Sequence, residues 1–344
     1  MQIKKNYSIQ PYNTFGIAAR ASRFAAFGDV QTLAALLRDN QHEHKIILGG
    51  GSNILFTNDF AGLILKNNLK GIELLRADDQ YYYLKVAAGE PWHPFVQYCV
   101  DHGYAGLENL SLIPGLAGAS PMQNIGAYGV EIKDVFYQLE AMRISDQTLH
   151  TFSREDCQFG YRESIFKTEL KGKYIILNVT YRLLKKPILH LEYGAIREEL
   201  EKAGIAVNTT TPTIKEVSEA VIRIRRSKLP DPKQIGNAGS FFKNPSIPIA
   251  QFEKLKMEHP TLPGYPLTGI GSNEQIKVAA GWLIEACGWK GYRDGDAGVH
   301  ARQALVLVNY GHATGAEIYA LSERIINSVE NKFGIALERE VNII

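Results

Sequence analysis

Cysteine is scarce. Only Cys99, Cys157 and Cys287 occur, with no Cys-x-x-Cys spacing, which suits reduced thiols in a reducing compartment and provides no metal site. The histidines show no ligand spacing either, so no metal is expected. Charge of one sign is also missing: 38 Lys and Arg against 36 Asp and Glu leave a formal +2. No basic block carries interleaved aromatics, so nothing calls for nucleic acid. Arg223, Arg225 and Arg226 lie in a helical stretch and read as one solvated or phosphate-facing side. Apolar runs such as Ile46–Leu48 and Ala304–Val308 fall far short of the roughly 20 residues that span a bilayer. The N-terminus lacks an apolar signal core. A cytoplasmic protein is therefore expected; a monomer is the expected state, although no residue pattern argues for it. Three signatures are absent as well: a Gly-Lys-Ser/Thr P-loop, a Gly-x-Gly-x-x-Gly opening a helix, and a Gly-x-Ser-x-Gly nucleophile elbow.

What is present at 344 residues is room for two or three domains. Residues 1–20 are polar and aromatic, with Tyr12 to Gly16 an irregular arm. An α/β pattern follows: Phe24–Phe27 as a strand, Asp29 capping a helix with Val30, Leu33, Ala34 and Leu37 on one face, then strands at Lys45–Leu48 and Ala61–Lys66. From Gly71 to about Lys186 strands dominate, at 82–88, 135–144 and 174–183, with a helix from Pro91 to His102 closed by Gly103. Residues 189–203 read as a helical insertion. Thr213-x-x-Glu216 caps a helix that stops at Leu229-Pro230. Beyond it, Ser272-x-x-Gln275 and Thr314-x-x-Glu317 each predict a helix start, Ala304–Asn309 a strand, Gly334 a helix end and Leu337–Ile344 a last short strand.

Two glycine-rich stretches and one hydroxyl concentrate the functional signal. Gly49, Gly50 and Gly51, with Ser52 and Asn53, end a strand and offer unhindered N–H groups to phosphate oxygens, although a tight turn explains the glycines as well. Ile113 to Gly129 holds four glycines, three alanines and two prolines in seventeen residues. So little side chain makes a weak core but permits close backbone approach along a flat ligand. Gln123 and Asn124 can bond an amide-like ring edge, and Tyr128 can pack against it. Two such loops on adjoining units imply a large dinucleotide. Asn237 to Pro245 presents Ser240 between a glycine and two phenylalanines; taken alone it reads more simply as a turn with a buried strand. Arg162, after the Phe159-Gly160 turn, can stabilise an oxyanion. Glu340 alternates with Arg339 and shares a face with Glu338 on a terminal strand that pattern alone would leave solvated. No His stands near Ser240 in sequence, so a hydrolase nucleophile is not expected, but a serine can still protonate a basic carbanion.

Taken together, Tyr12–Phe15, Gly49–Asn53, Ile113–Gly129, Phe159–Ser164, Lys228–Pro230, Gly236–Pro245, Ala279–Ile284 and Leu337–Val341 closely resemble the UDP-N-acetylenolpyruvoylglucosamine reductase family of peptidoglycan precursor synthesis, in one order over nearly the whole chain. The resemblance implies an α+β chain: a two-subdomain FAD-binding fold of the vanillyl-alcohol-oxidase type, covered by a C-terminal α/β substrate-binding domain. The implied division is 1–68 (joined by 337–344), 69–228 and 229–336. Non-covalent FAD would lie with its pyrophosphate at Gly49, Gly50, Gly51, Ser52 and Asn53. Its ring would meet Pro114, Gly115, Gln123, Asn124, Gly126, Ala127, Tyr128 and Gly129. NADPH would reduce the flavin and leave, and the enolpyruvyl UDP-sugar would take its place. Ser240 would be the proton donor, with Arg162 and Glu340 stabilising the enolate. Tyr161, Lys228, Asn244, Tyr265, Lys290 and Gln303 would hold the substrate. Tyr193, with the 189–203 insertion and the Gly264-Tyr265-Pro266 loop, marks the variety with a mobile tyrosine loop that meets the diphosphate. Two departures stand out: Ser120-Pro121-Met122, and an end at Ile344 that leaves the edge around Glu340 less supported than in relatives with a further strand. The rival readings are an FAD-dependent alcohol or hydroxy-acid oxidase of the same fold and a non-catalytic nucleotide-binding module.

Overall fold

Asp29 shows how local chemistry sets the first elements. Its carboxylate accepts the Thr32 N–H at 2.6 Å, which starts the helix Val30–Asp39 and holds the Asp29 pKa below the ordinary carboxylate value. That helix buries Leu33, Leu36 and Leu37, each contributing about 1.5–3 kcal/mol. They pack with Phe27, Leu63 and Leu65 of a four-stranded sheet. Its order is Lys4–Ser8, Arg20–Phe27, Phe60–Asn67, Lys45–Leu48. The last two strands are parallel, Lys45 opposite Leu63, and Leu48 leads directly into the three glycines.

The computed structural model describes residues 2–266 and 274–344. The chain divides into two units: Met1–Tyr7, Ala21–Gly51 and Ala61–Ser227 form the first, while Ser8–Arg20, Ser52–Phe60 and Lys228–Ile344 form the second.

The first unit also carries a five-stranded antiparallel sheet in the order Leu149–Ser153, Phe136–Arg143, Tyr174–Leu184, Tyr81–Ala87, Ile72–Ala77. The helix Trp92–Asp101 lays Trp92, Phe95, Val96, Cys99 and Val100 into the core. Trp92, Phe95 and Tyr181 contact one another with ring centroids 5.3–5.9 Å apart, and the Trp92 indole donates to the Leu110 carbonyl at 2.9 Å. The Tyr181 hydroxyl pairs with Ser120 Oγ at 2.6 Å, so Ser120, in one of the stretches that depart from the family pattern, is a buried core partner. Helices Gly194–Lys202 and Ile214–Lys228 share a smaller cluster of Ile196, Leu200, Val217, Ala220, Val221 and Ile224. The Thr213–Glu216 capping box is formed in both directions, at 2.6 and 3.2 Å.

In the second unit a sheet of short strands runs Gly236–Asn237, Leu307–Asn309, Ala297–Val299, Arg293–Asp294. A three-stranded sheet runs Ser246–Pro248, Gln275–Val278, Gly264–Pro266. Helix Gly315–Phe333 has the expected Thr314–Glu317 capping box and ends at Gly334 with φ +64. The polar arm is more ordered than expected: residues 4–8 form a strand, and the Asn13 amide closes a turn on the Ile9 and Ile17 carbonyls. Gly236 is required there, since a Cβ would lie 2.2 Å from the Phe15 carbonyl oxygen.

Two sequence expectations are corrected. The cap predicted at Ser272 lies outside the described residues, and Gln275–Val278, expected inside a helix, is a strand; helix Ala280–Ala286 starts after it. The terminal strand is broken: only Asn342–Ile343 enters a ladder, in parallel with Ile54–Leu55.

Candidate active site

Ser240 is exposed on a mount of buried neighbours. Asn237 and Ala238 precede it and Phe241 and Phe242 follow, all buried. The two phenyl rings meet at 5.2 Å. The Asn237 side chain donates to the Ile235 carbonyl at 2.9 Å and accepts the Gly239 N–H at 3.0 Å, which folds the chain back just ahead of the serine. Gly239 takes φ +71, a conformation that favours glycine.

The same unit brings Glu340 next to this mount by backbone pairing. Phe241 N–H donates to the Leu305 carbonyl at 2.7 Å, and Glu340 N–H donates to the Phe241 carbonyl at 2.8 Å. Lys243 N–H donates to the Glu338 carbonyl at 2.9 Å. From its other side the Glu340 carbonyl accepts from Asn53 Nδ2 at 3.2 Å. Beyond it, Ile344 N–H bonds the Leu55 carbonyl. The edge around Glu340 is therefore paired on both sides, whereas the sequence pattern predicts a less supported one. Glu340 is half-buried rather than solvated. Asn53 directs its amide at Glu340, a use different from the phosphate contact implied for it. Arg339 turns the other way, to Ser322 Oγ at 2.8 Å and to Glu323.

The remaining second-unit candidates are dispersed among its elements. Lys228 ends its helix exposed, and Tyr265 is exposed on the strand Gly264–Pro266, opposite Lys277. Asn244 Oδ1 accepts the Ala280 N–H at 3.0 Å. Lys290 pairs with Glu285 at 2.9 Å. Gln303 lies two residues before Leu305, whose carbonyl holds Phe241.

In the first unit the glycine stretches touch. A Cβ on Gly50 would lie 2.9 Å from the Gly115 Cα, and one on Gly118 would lie 2.4 Å from the Ala88 Cβ. Leu116 and Pro91 pair as a bridge, and the Gly115 carbonyl accepts the Trp92 N–H at 3.0 Å. Some of this smallness therefore serves approach of one backbone segment to another, whereas the pattern of Ile113 to Gly129 predicts approach to a ligand and that of Gly49 to Gly51 fits a tight turn as well.

Further along, Gly126–Ala127 and Val130–Glu131 form a two-residue hairpin. Tyr128 and Gly129 take φ +50 and +85, as the type I′ turn of such a hairpin demands. Asn124 and Arg162 also adopt positive φ, at +43 and +56. Non-glycine residues held this way cost of order 1–3 kcal/mol each, and such strain clusters at functional sites. Arg162 Nη2 donates to the Gly126 carbonyl at 2.7 Å, and a Cβ at Gly126 would crowd Arg162 Nη1 at 3.2 Å. The Tyr161 ring lies 5.6 Å from the Arg162 guanidinium. Asn124 is fully buried, donating to Glu131 and Gly160 and accepting from Lys133 N–H. That corrects the ring-edge role given to its amide: both N–H groups and the oxygen are already engaged inside the protein. Gln123 and Ala127 are half-buried and Pro114 is exposed.

Arg225 departs from the expectation that it shares one solvated or phosphate-facing side with Arg223 and Arg226, which are exposed. It faces inward, donating from Nε to the Leu112 carbonyl at 3.2 Å, with the Tyr128 hydroxyl near enough to feel its charge. Burial lowers its pKa, while burial raises that of Tyr128 against the opposing pull of Arg225. Its position, four residues after the buried Val221, was a usable helical signal. His93, half-buried, accepts the Leu112 N–H at Nδ1 at 3.0 Å; burial first, then Arg226 and Arg225, lower its pKa. Burial pushes the Cys157 thiol up to about 12, so it is a thiol rather than a nucleophilic thiolate. Among the described residues no group of three or more His, Cys, Asp or Glu is placed to hold a metal, and no helix is long and apolar enough to cross a membrane.

The first unit thus offers a strained, glycine-lined backbone surface with two guanidiniums and a tyrosine gripping it. That donor set fits an anionic dinucleotide with a flat ring. In agreement, residues 21–153 match an FAD-binding domain model, and residues 231–344 match the model described as UDP-N-acetylenolpyruvoylglucosamine reductase, C-terminal domain. The class is therefore an FAD-binding oxidoreductase with an additional C-terminal domain. The chain is 50% identical over 345 residues to UDP-N-acetylenolpyruvoylglucosamine reductase of Flavobacterium johnsoniae, covering all of both chains. It is 49% identical over 346 residues to that of Pseudomonas aeruginosa, covering 100% of this chain and 99% of the relative. The chain belongs to the UDP-N-acetylenolpyruvoylglucosamine reductase family. Its fold matches a solved structure of this reductase from Thermus caldophilus with TM-score 0.69, 22% identity and coverage of 100% and 99%.

Proposed function

We propose that the protein reduces the enolpyruvyl group of UDP-N-acetylglucosamine enolpyruvate to the lactyl ether of UDP-N-acetylmuramate, using NADPH in a ping-pong sequence. The observation that carries this reading is the exposed Ser240 on its rigid mount, with Glu340 paired to the neighbouring residue, in a chain of this family. By function we divide the chain into 1–68 with 337–344, 69–228 and 229–336, as a cytoplasmic monomer.

Bound FAD supplies the hydride that it receives from NADPH. The protein's part is charge and proton management at the enolpyruvyl group. Hydride addition at the terminal vinyl carbon drives charge into the carboxylate as an enolate. Arg162, steered by the Gly126 carbonyl, provides a fixed cation for that charge. Glu340, in its protonated form, donates a hydrogen bond to the same enolate. Ser240 then delivers its proton to the adjacent carbon. Lys228, Tyr161, Asn244, Tyr265, Lys290 and Gln303 bind the nucleotide and sugar, and Tyr193 binds the diphosphate. Gly49 to Asn53 and the stretch Pro114 to Gly129 hold FAD, Gln123 through its side chain, while the buried Asn124 shapes the backbone of that stretch from inside the protein.

Half-reaction kinetics on Ser240→Ala test the assignment. Flavin bleaching by NADPH is expected within about twofold of wild type, while reduction of the enolpyruvyl substrate slows by about 10²–10⁴-fold, as loss of a general acid does. Equal losses in both halves would make Ser240 a pocket-shaping residue and refute its role as donor.

A further inference from the structure

Asn109 is 1% exposed and uses its amide asymmetrically. Nδ2 donates to the Tyr128 carbonyl and to the His190 carbonyl, both at 2.9 Å. Its Oδ1 is buried without a hydrogen-bond partner among the described residues. Flipping the amide would set oxygen against two carbonyls, so the orientation is fixed by those acceptors. A buried acceptor left unmatched is unfavourable, and a leucine of similar volume would avoid it. What leucine cannot do is join two backbone segments.

The two segments are the strained hairpin at Tyr128 and the stretch leading to Tyr193. Three residues past His190, the Tyr193 ring stands edge-on to the Tyr128 ring, with centroids 5.2 Å apart and planes at 88°. Tyr193 then begins the helix Gly194–Lys202, its carbonyl accepting the Ile196 N–H at 2.8 Å. The Leu191 carbonyl is held by Arg197 Nε at 3.1 Å. Asn109 ties the start of this segment to the backbone of the residue its tyrosine leans on.

We propose that Asn109 is a positioning residue for Tyr193: by bracketing the Tyr128 and His190 carbonyls it sets where the Tyr193 hydroxyl meets the diphosphate of the sugar nucleotide. This rests on the reading of the protein as a reductase of an enolpyruvyl sugar nucleotide. A tyrosine on a solvent-facing segment has many positions available, and a bracket at its base narrows them before the substrate arrives.

The test uses the holoenzyme at saturating FAD, with Asn109→Leu, Tyr193→Phe and the double variant. For Asn109→Leu, the KM for the enolpyruvyl UDP-sugar should rise about tenfold or more, with kcat changed by less than about threefold and NADPH bleaching by less than about twofold. In the Tyr193→Phe background the same change should raise KM by less than about twofold, because its target is already lost. Unchanged KM, full additivity in the double variant, or an equal slowing of bleaching would overturn the proposal. If Asn109→Leu folds poorly, the smaller polar Asn109→Ser takes its place. Loss of folded protein in both would make Asn109 a fold element and overturn the positioning role. If wild-type reduced enzyme is not reoxidised by the enolpyruvyl nucleotide at all, the functional reading itself is wrong and the proposal falls with it.

Discussion

Gly50 has no room for a side chain, because the atom nearest a Cβ there is the Gly115 backbone rather than a movable tip. Gly50→Ala should therefore push the two stretches apart, lowering stability by about 1–3 kcal/mol and reducing FAD content. Gly28, with nothing within 4 Å of a Cβ and no positive φ, is the control: Gly28→Ala should stay within about 0.5 kcal/mol. Denaturation midpoints and the flavin-to-protein absorbance ratio of the two variants measure both effects, and parallel behaviour would contradict the close-packing account. At this scale the sequence made the Gly239 turn and the buried Phe241 and Phe242 legible, while the roles proposed for Ser240, Arg162 and Glu340 came from the family resemblance and not from local pattern. Asn109 was not legible, since its role comes from two carbonyls that the fold delivers from 19 and 81 residues away. Asn124 was misread because nothing local reveals that its amide is already fully used.

Helix Trp92–Asp101 touches the functional stretch through one titratable contact, the Leu112 N–H donated to His93 Nδ1. The His93 pKa is depressed from 6.5 by burial and by the nearby arginines. A group with a depressed folded pKa contributes stability that is present above its unfolded value and lost as pH falls through its folded value. Tm should therefore decline as pH drops below 6.5, because the unfolded chain takes up the proton there while burial and the neighbouring arginines keep the folded ring neutral. In His93→Gln that decline should be shallower below pH 6.5; an identical slope would remove His93 from the account. Elements with both a cap and a period were legible: Asp29, Thr213 and Thr314 begin helices where expected. The apparent cap at Ser272 misled because a Ser-x-x-Gln spacing carries no information about strand partners, and Gln275–Val278 is claimed by strands on both sides. The early strand at 4–8 was missed because its polar, short pattern has no clear alternation.

The division of the chain was the least legible feature of all. Residues 8–20 and 52–60 belong with Lys228–Ile344, and the Asn342 side chain bonds the Asn53 carbonyl across a separation of 289 residues. Periodicity reports which face of an element is apolar, not which distant segment will cover it. The family resemblance supplied what periodicity could not, namely an FAD-binding unit and a distinct C-terminal domain. The cofactor should be visible in the stability of the molecule. With free FAD at about 100 times its dissociation constant, ligand linkage contributes about 2.7 kcal/mol, or roughly 4 °C in Tm for a chain of this size. Calorimetry of apo- and holoprotein checks this, and coincident transitions would contradict FAD binding to the native fold. The most direct test of the whole account is an anaerobic titration of the yellow holoprotein. NADPH should bleach it, and one equivalent of UDP-N-acetylglucosamine enolpyruvate should restore the colour within seconds, with one equivalent of UDP-N-acetylmuramate formed. No recolouring by the nucleotide, with rapid recolouring by oxygen alone, would contradict the account and favour an oxidase.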